Sequence, residues 1–173
     1  MNQYHSIQKW LHAVTGLWIL GLFALGIWMR SLGYYDSWYQ TGPQVHKALG
    51  VLLIAAMLLR LIAKVQFDAP APLSNHKPWE VSIAKWTHWL IYGLVAIILL
   101  SGYLIGTADN RGIDVFGWFE VSPLFEPFDR QEDIAGIIHE YAAYGLISLV
   151  ILHAMGAIKH GIIDKDSTLK RMF

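Results

Sequence analysis

The chain has 173 residues, of which 55% are hydrophobic and only 15% are charged. Soluble domains carry about 25% charged residues, so this composition cannot cover a water-facing surface and indicates a membrane protein. The formal net charge is zero, which argues against a nucleic-acid partner. The sequence contains no cysteine, which excludes disulfides, iron–sulfur clusters and the covalent attachment of c-type haem.

Four apolar stretches are long enough to cross a bilayer, which needs roughly 20 helical residues. They cover about residues 7–29, 43–65, 83–107 and 134–163. The first stretch is longer than the apolar core of a secretory signal and no small-residue cleavage site follows it, so we expect a retained helix. The sequence therefore predicts an all-α fold, an integral membrane four-helix bundle that forms a single transmembrane domain over residues 1–173.

The loop charges predict the orientation of this bundle. Nine basic residues fall on the side that holds both termini, and four fall on the other side. The positive-inside rule then places both termini in the cytoplasm. The nine are Lys9, Arg60, Lys64, Lys77, Lys85, Lys159, Lys165, Lys170 and Arg171, and the four are Arg30, Lys47, Arg111 and Arg130.

The histidines are the main functional candidates, because five of the eight lie within or at the edge of a predicted span. His139 and His153 are fourteen residues apart on the fourth span. They therefore share one helix face and are separated by about 21 Å along the axis. Two haems stacked across a membrane would need this arrangement, with one ligand near each surface.

Each haem iron with two protein ligands needs a second imidazole from a facing helix. At the outer level, His46 is the available partner for His139. At the inner level, either His12 or His88 could face His153, and spacing alone does not decide between them. A single histidine at a helix end could equally be an interfacial polar residue with no ligand. The haem prediction therefore depends on the placement of two histidines at each of the two levels.

Two glycines and an arginine support this interpretation. Gly16 and Gly50 follow His12 and His46 by four residues, on the same helix faces, where they would give a haem room to pack. This slightly favours His12 over its competitor. Arg60 lies fourteen residues after His46, at the inner level, where it would pair with haem propionates. The alternative is an interfacial arginine that extends towards the headgroups.

Taken together, these residues resemble the bacterial cytochrome b561 family, the single-chain di-haem four-helix type. The resemblance covers nearly the whole chain. It is carried by His12, His46 with Arg60, residues 84–92 around His88, His139 with Glu140, His153, His160 and the closing residues 165–172. It implies two b-type haems with bis-histidine ligation, the outer one held by His46 and His139 and the inner one by His12 and His153.

The resemblance also implies a function and a location. It leaves Arg60, His88 and His160 as candidates for contacts with propionates or a quinone. Family members exchange electrons with the membrane quinone pool, and some oxidise superoxide outside the membrane. We therefore expect a multi-pass electron-transfer protein of the bacterial inner membrane, with the lipid bilayer and a quinone as partners and superoxide or a redox protein as external donor. The predicted outer side carries nine acidic residues against four basic ones, which opposes steering of the superoxide anion and makes superoxide oxidation the less favoured alternative.

Two further alternatives stay open on the sequence. One is a haem-bearing membrane anchor for a larger dehydrogenase, with the electron donor on a separate chain. The other is a metal or proton transporter that uses the intramembrane histidines. Transport sites usually gather near the bilayer midplane at broken helices, whereas these histidines lie at two separate levels.

Overall fold

The computed structural model describes residues 3–172 and consists mainly of helices. Among these residues, four helices are long and apolar enough to cross a membrane, in agreement with the predicted all-α membrane fold. They are α1 (Ser6–Met29), α2 (Thr41–Gln66), α3 (Pro78–Gly106) and α4 (Gln131–Ile162), and a short α5 (Thr168–Met172) follows.

The third and fourth helices begin a few residues before the predicted starts at 83 and 134. Pro78 occupies the first turn of α3, where its fixed φ suits the helix and its missing N–H is not needed. The side chain of Glu80 accepts a hydrogen bond from the backbone N–H of Lys77 at 2.9 Å. Pro78, which lies outside the span predicted from residue 83, is therefore the first residue of the helix.

The four helices share a small apolar core. Leu22 of α1, Leu53 and Met57 of α2, Val95 of α3 and Leu146 of α4 are buried together in one cluster. In chain order, α1 packs against α2, α2 against α3, and α3 against α4. This arrangement brings side chains of all four helices towards one interior.

The outer surface of the bundle is apolar as well. Large side chains such as Leu17, Leu59, Val65, Leu100 and Leu152 are exposed. Exposed apolar side chains on all four helices form a surface that is unfavourable in water and that lipid chains would cover. The buried hydroxyls of Thr15 and Ser101 donate hydrogen bonds to carbonyls of their own helices, as a membrane interior requires.

A β-hairpin that no sequence pattern predicted lies between α3 and α4. Its strands are β1 (Ile113–Val115) and β2 (Phe119–Val121), paired antiparallel with Ile113 opposite Val121. Gly117 adopts a φ of +72° in the turn, a conformation that glycine tolerates without cost. Val115 is fully buried, and β1 packs against α2, so the hairpin covers one end of the bundle.

The two ends of the chain meet at the opposite end of the bundle. The backbone N–H of Tyr4 donates to the carbonyl of Arg171 at 3.3 Å. The guanidinium of Arg171 donates to the carbonyl of Ala71, in the α2–α3 loop, at 2.7 Å. We call this the terminal end, and the end with the hairpin the hairpin end. Which end faces the cytoplasm stays the prediction made from the loop charges.

Candidate functional site

Two of the predicted ligand histidines face each other near the hairpin end. His46 on α2 and His139 on α4 have ring centroids 6.2 Å apart, and their ring planes make an angle of 73°. The two helices are not neighbours in sequence, so the fold brings these rings together across the bundle interior.

Hydrogen bonds leave a metal-binding nitrogen available in this pair. The Nδ1–H of His139 donates to the carbonyl of Ile98 at 3.0 Å and lies 3.1 Å from the hydroxyl of Ser101. With its proton on Nδ1, the ring carries its lone pair on Nε2, which is the usual state of a metal-binding histidine. The Nδ1 of His46 is buried and has no hydrogen-bond partner among the described residues.

A cavity of about 570 Å³ opens beside this pair, within the size range of small-molecule and cofactor sites. Both histidines line it, together with Gly50. A Cβ atom at Gly26 would lie 3.4 Å from the Cε1 of His46, and one at Gly102 would lie 3.2 Å from the Cε1 of His139. The two glycines therefore make the space in which the histidine rings sit.

The rim of the cavity is polar. Lys47, Tyr103, Arg30 and Glu140 line it, and the last two form an ion pair. Cationic side chains at this position would suit the carboxylates of a haem, because charge-assisted hydrogen bonds to carboxylates are strong.

A second facing pair lies towards the terminal end. The rings of His12 on α1 and His153 on α4 have centroids 6.2 Å apart and planes inclined at 72°. His88 on α3 also approaches His153, with centroids 5.2 Å apart. His88 is exposed, whereas His12 and His153 are half-buried.

Arg60 points inward at this level. Its guanidinium donates to the Nδ1 of His12 and to the hydroxyl of Thr15, both at 2.7 Å. It also lies 5.4 Å from the ring centroid of Tyr92. Of the two interpretations of Arg60, these contacts favour a role beside His12 over that of an arginine that only extends to the headgroups.

The remaining predicted site residues lie in different surroundings. A Cβ atom at Gly16 or Gly50 would meet no heavy atom within 4 Å, so both positions face open space. His160 lies beyond the inner pair, beside the carboxylates of Asp164 and Asp166.

No sequence pattern predicted that Gly26, Gly102 and Lys47 lie around the His46–His139 pair at the hairpin end. Gly26 and Gly102 belong to α1 and α3, and their importance comes from the register of those helices against the histidines of α2 and α4. No local motif marks them. Their only signal in the sequence is that glycine recurs in all four spans.

The residues present fit a haem at both levels. Imidazole nitrogens bind metal ions at about 2 Å, and a ring nitrogen lies about 1 Å from its centroid. Two imidazoles on opposite sides of one iron therefore have centroids about 6 Å apart, close to the 6.2 Å of both pairs. The cavity, the buried nitrogen of His46 without a partner, and the glycines beside the rings add to this fit at the hairpin end.

Comparison with known proteins decides the family. Residues 3–173 match the family model described as prokaryotic cytochrome b561. The chain belongs to this family. This cytochrome is 40% identical over 99% of its length to cytochrome b561 homolog 2 of Escherichia coli K12, of which it covers 91%. It is 27% identical to cytochrome b561 homolog 1 of the same organism, covering 99% of this chain and 97% of the relative.

A more distant relative carries a more specific name. The chain is 24% identical to the probable superoxide oxidase CybB of Yersinia pestis, over 99% of this chain and 96% of the relative. Family membership makes this cytochrome a haem-b-binding electron-transfer protein, and with its four apolar helices it is a multi-pass bacterial membrane protein.

Proposed function

We propose that this cytochrome carries electrons across the bacterial inner membrane through two b-type haems and exchanges them with the quinone pool. The observation that supports this most directly is the repeated geometry of the two histidine pairs. Both have ring centroids 6.2 Å apart, with interplanar angles of 72° and 73°. Two independent positions with the same spacing are expected if both hold the same group.

In this proposal His46 and His139 bind the iron of the outer haem, and His12 and His153 bind that of the inner haem. The spacing argues for His12 over His88. The centroids of His88 and His153 are 5.2 Å apart, shorter than the separation of about 6 Å expected for two imidazoles on either side of one haem iron. His88 is then a neighbour of the inner haem, available for contact with a propionate or a quinone.

The haems would supply one-electron transfer, and the protein decides what else they can do. Two histidine ligands on each iron would leave no position for oxygen, which would favour electron transfer over oxygen binding. The Nδ1–H bond of His139 to the Ile98 carbonyl fixes the orientation of that ring. Lys47 at the cavity rim and Arg60 beside His12 are the cationic side chains that we assign to the propionates.

The side chain of Arg60 would have to change its hydrogen bonds when the haem beside His12 binds. Its guanidinium donates to the Nδ1 of His12 at 2.7 Å, so that nitrogen is an acceptor and the ring proton lies on Nε2. A histidine that binds iron through Nε2 carries its proton on Nδ1, which is a donor. Arg60 must therefore turn away from His12 when the inner haem binds, and the propionates are the acceptors we propose for it.

A second candidate function is superoxide:quinone oxidoreduction, which the name of the Yersinia pestis relative favours. The charge of the predicted outer side opposes superoxide oxidation, because that side carries nine acidic and four basic residues. An anion such as superoxide is attracted by positive potential. The same acidic surface suits a basic redox protein as donor.

The test is electron entry into the purified haem-loaded protein in lipid nanodiscs under anaerobic conditions. A short-chain quinol should reduce the haems, as read from their absorbance. Failure of the quinol where dithionite reduces both haems would overturn the quinone proposal. A parallel assay with superoxide generated in solution separates the two donors, because superoxide oxidation predicts haem reduction that superoxide dismutase abolishes.

A further inference from the structure

A polar cluster at the terminal end joins three separate segments of the chain. His76 lies in the α2–α3 loop, His160 in the last turn of α4, and Asp166 in the turn after α4. Their candidate ligand atoms all lie within 4.8 Å of one another. The three side chains are largely buried, with exposed fractions of 16%, 17% and 6%.

The two distances from the histidines to Asp166 are close to those between ligands of one metal ion. The Nε2 of His76 lies 2.9 Å from the Oδ2 of Asp166, and the Nδ1 of His160 lies 3.4 Å from the same oxygen. In a tetrahedral zinc site with bonds of 2.0–2.1 Å, neighbouring ligand atoms are separated by about 3.3 Å. The observed distances lie on either side of this value.

The Nδ1 of His160 points to a ligand as well. It is buried and has no well-formed hydrogen bond among the described residues, although an oxygen of Asp164 is 2.7 Å away. The carboxylates near this nitrogen are therefore close to it but not in its hydrogen-bonding direction. A metal ion bound to that nitrogen would give it the partner that it lacks.

A neighbouring group of possible ligands is already neutralised by a lysine. Glu80, His160 and Asp164 also lie close together, but the ammonium of Lys159 lies 2.9 Å from Glu80 and 2.6 Å from Asp164. Asp166, by contrast, pairs only with the two histidines among the described ion pairs. A cation is therefore expected at Asp166 rather than at Glu80.

We propose that His76, His160 and Asp166 form a binding site for a divalent transition-metal ion of the zinc class. Two imidazoles and one carboxylate are ligands that zinc accepts, with a water molecule in the fourth position. The bound ion would cross-link the α2–α3 loop, the end of α4 and the C-terminal segment. The proposal goes beyond the haem function, since His76 and Asp166 belong to no haem site. A metal ion on His160 would replace the contact with a propionate or a quinone that the family resemblance suggested for that residue.

The test is isothermal titration of zinc into haem-loaded protein that carries no histidine tag and has been stripped with a chelator. We expect about one zinc ion per chain. His76→Ala and Asp166→Asn should each weaken zinc binding by at least about tenfold, since even residues that only support a metal ligand change affinity by this factor. Glu80→Gln is the matched control and should bind zinc like the parent protein.

The haem spectrum of each variant shows whether the fold is intact and separates this proposal from the haem function. Zinc should raise the melting temperature of the parent protein and of Glu80→Gln, but not that of the two ligand variants. Zinc binding by Asp166→Asn or His76→Ala at parental affinity would overturn the proposal. The proposal would also be overturned if Glu80→Gln lost zinc binding while Asp166→Asn kept it. A parent protein that binds no zinc would overturn the proposal as well.

Discussion

Gly102 offers a test of the haem site that we propose between His46 and His139. A Cβ atom at this position would lie 3.2 Å from the Cε1 and 3.5 Å from the Nδ1 of His139. Carbon atoms pack at about 3.5–4.0 Å, so the ring would have to move by roughly 0.3–0.8 Å to accept even an alanine. The hydrogen bond from Nδ1 to the Ile98 carbonyl holds the ring in place. Metal–ligand distances tolerate about 0.2 Å, which is less than the displacement required.

We therefore expect Gly102→Val, whose branched side chain extends further than a Cβ, to lose the outer haem and keep the inner one. The assay is the haem content per chain of the purified protein, measured as the pyridine haemochrome, which should fall by half. Gly93→Val is the matched control, because Gly93 lies on the same helix and a Cβ there would meet no heavy atom within 4 Å. It should keep the parental haem content.

The reasoning would be refuted if Gly102→Val kept both haems with an unchanged spectrum. It would also fail if Gly93→Val lost as much haem as Gly102→Val, because the loss would then reflect any added bulk on α3. Gly102→Ala should give an intermediate result.

Three further predictions follow from contacts elsewhere. Arg60→Met removes a positive charge beside His12. In a redox titration the midpoint potential of one haem should therefore fall, while that of the other haem stays constant. Two unchanged potentials would contradict our placement of Arg60. Val115→Ala truncates a fully buried side chain of the hairpin and should cost about 2 kcal/mol of stability, whereas Val65→Ala, at an exposed position, should leave the melting temperature unchanged. Burial raises the pKa of the Tyr4 phenol against the opposing charge of Arg171. The phenol therefore ionises at a lower pH in the unfolded chain than in the folded one, and the stability of the folded protein should fall as the pH rises above about 10. Above that pH, Tyr4→Phe should melt at a higher temperature than the parent. An equal loss of stability in both proteins would contradict the role given to Tyr4.

The helices were predictable because each depends on the chemistry of one continuous segment. Four long apolar stretches need no tertiary information, and over the same regions the described residues form four helices long enough to cross a membrane. The facing of His46 and His139 was predictable as well, since their levels follow from helix geometry and a four-helix bundle has one interior. The start of α3 was less accurate, because Pro78 reads as a loop residue until its place in the first turn is known.

Features that depend on register between helices could not be predicted. Gly26 and Gly102 matter only because α1 and α3 present them to histidines on other helices. The cluster of His76 and Asp166 joins residues ninety positions apart, and no local pattern relates them. The hairpin has two strands of three residues each, too short for their alternation to stand out in a loop rich in acidic and aromatic residues.

The central claim is that two pairs of histidines hold two b-type haems. The measurement that tests it most directly is the haem content per chain, from a reduced-minus-oxidised spectrum and a pyridine haemochrome, in the parent protein and in single histidine variants. We predict two haems in the parent, loss of half the haem in His46→Ala and in His153→Ala, and no loss in His88→Ala. A parent protein with a single haem, or a His88→Ala variant that loses one, would contradict the account.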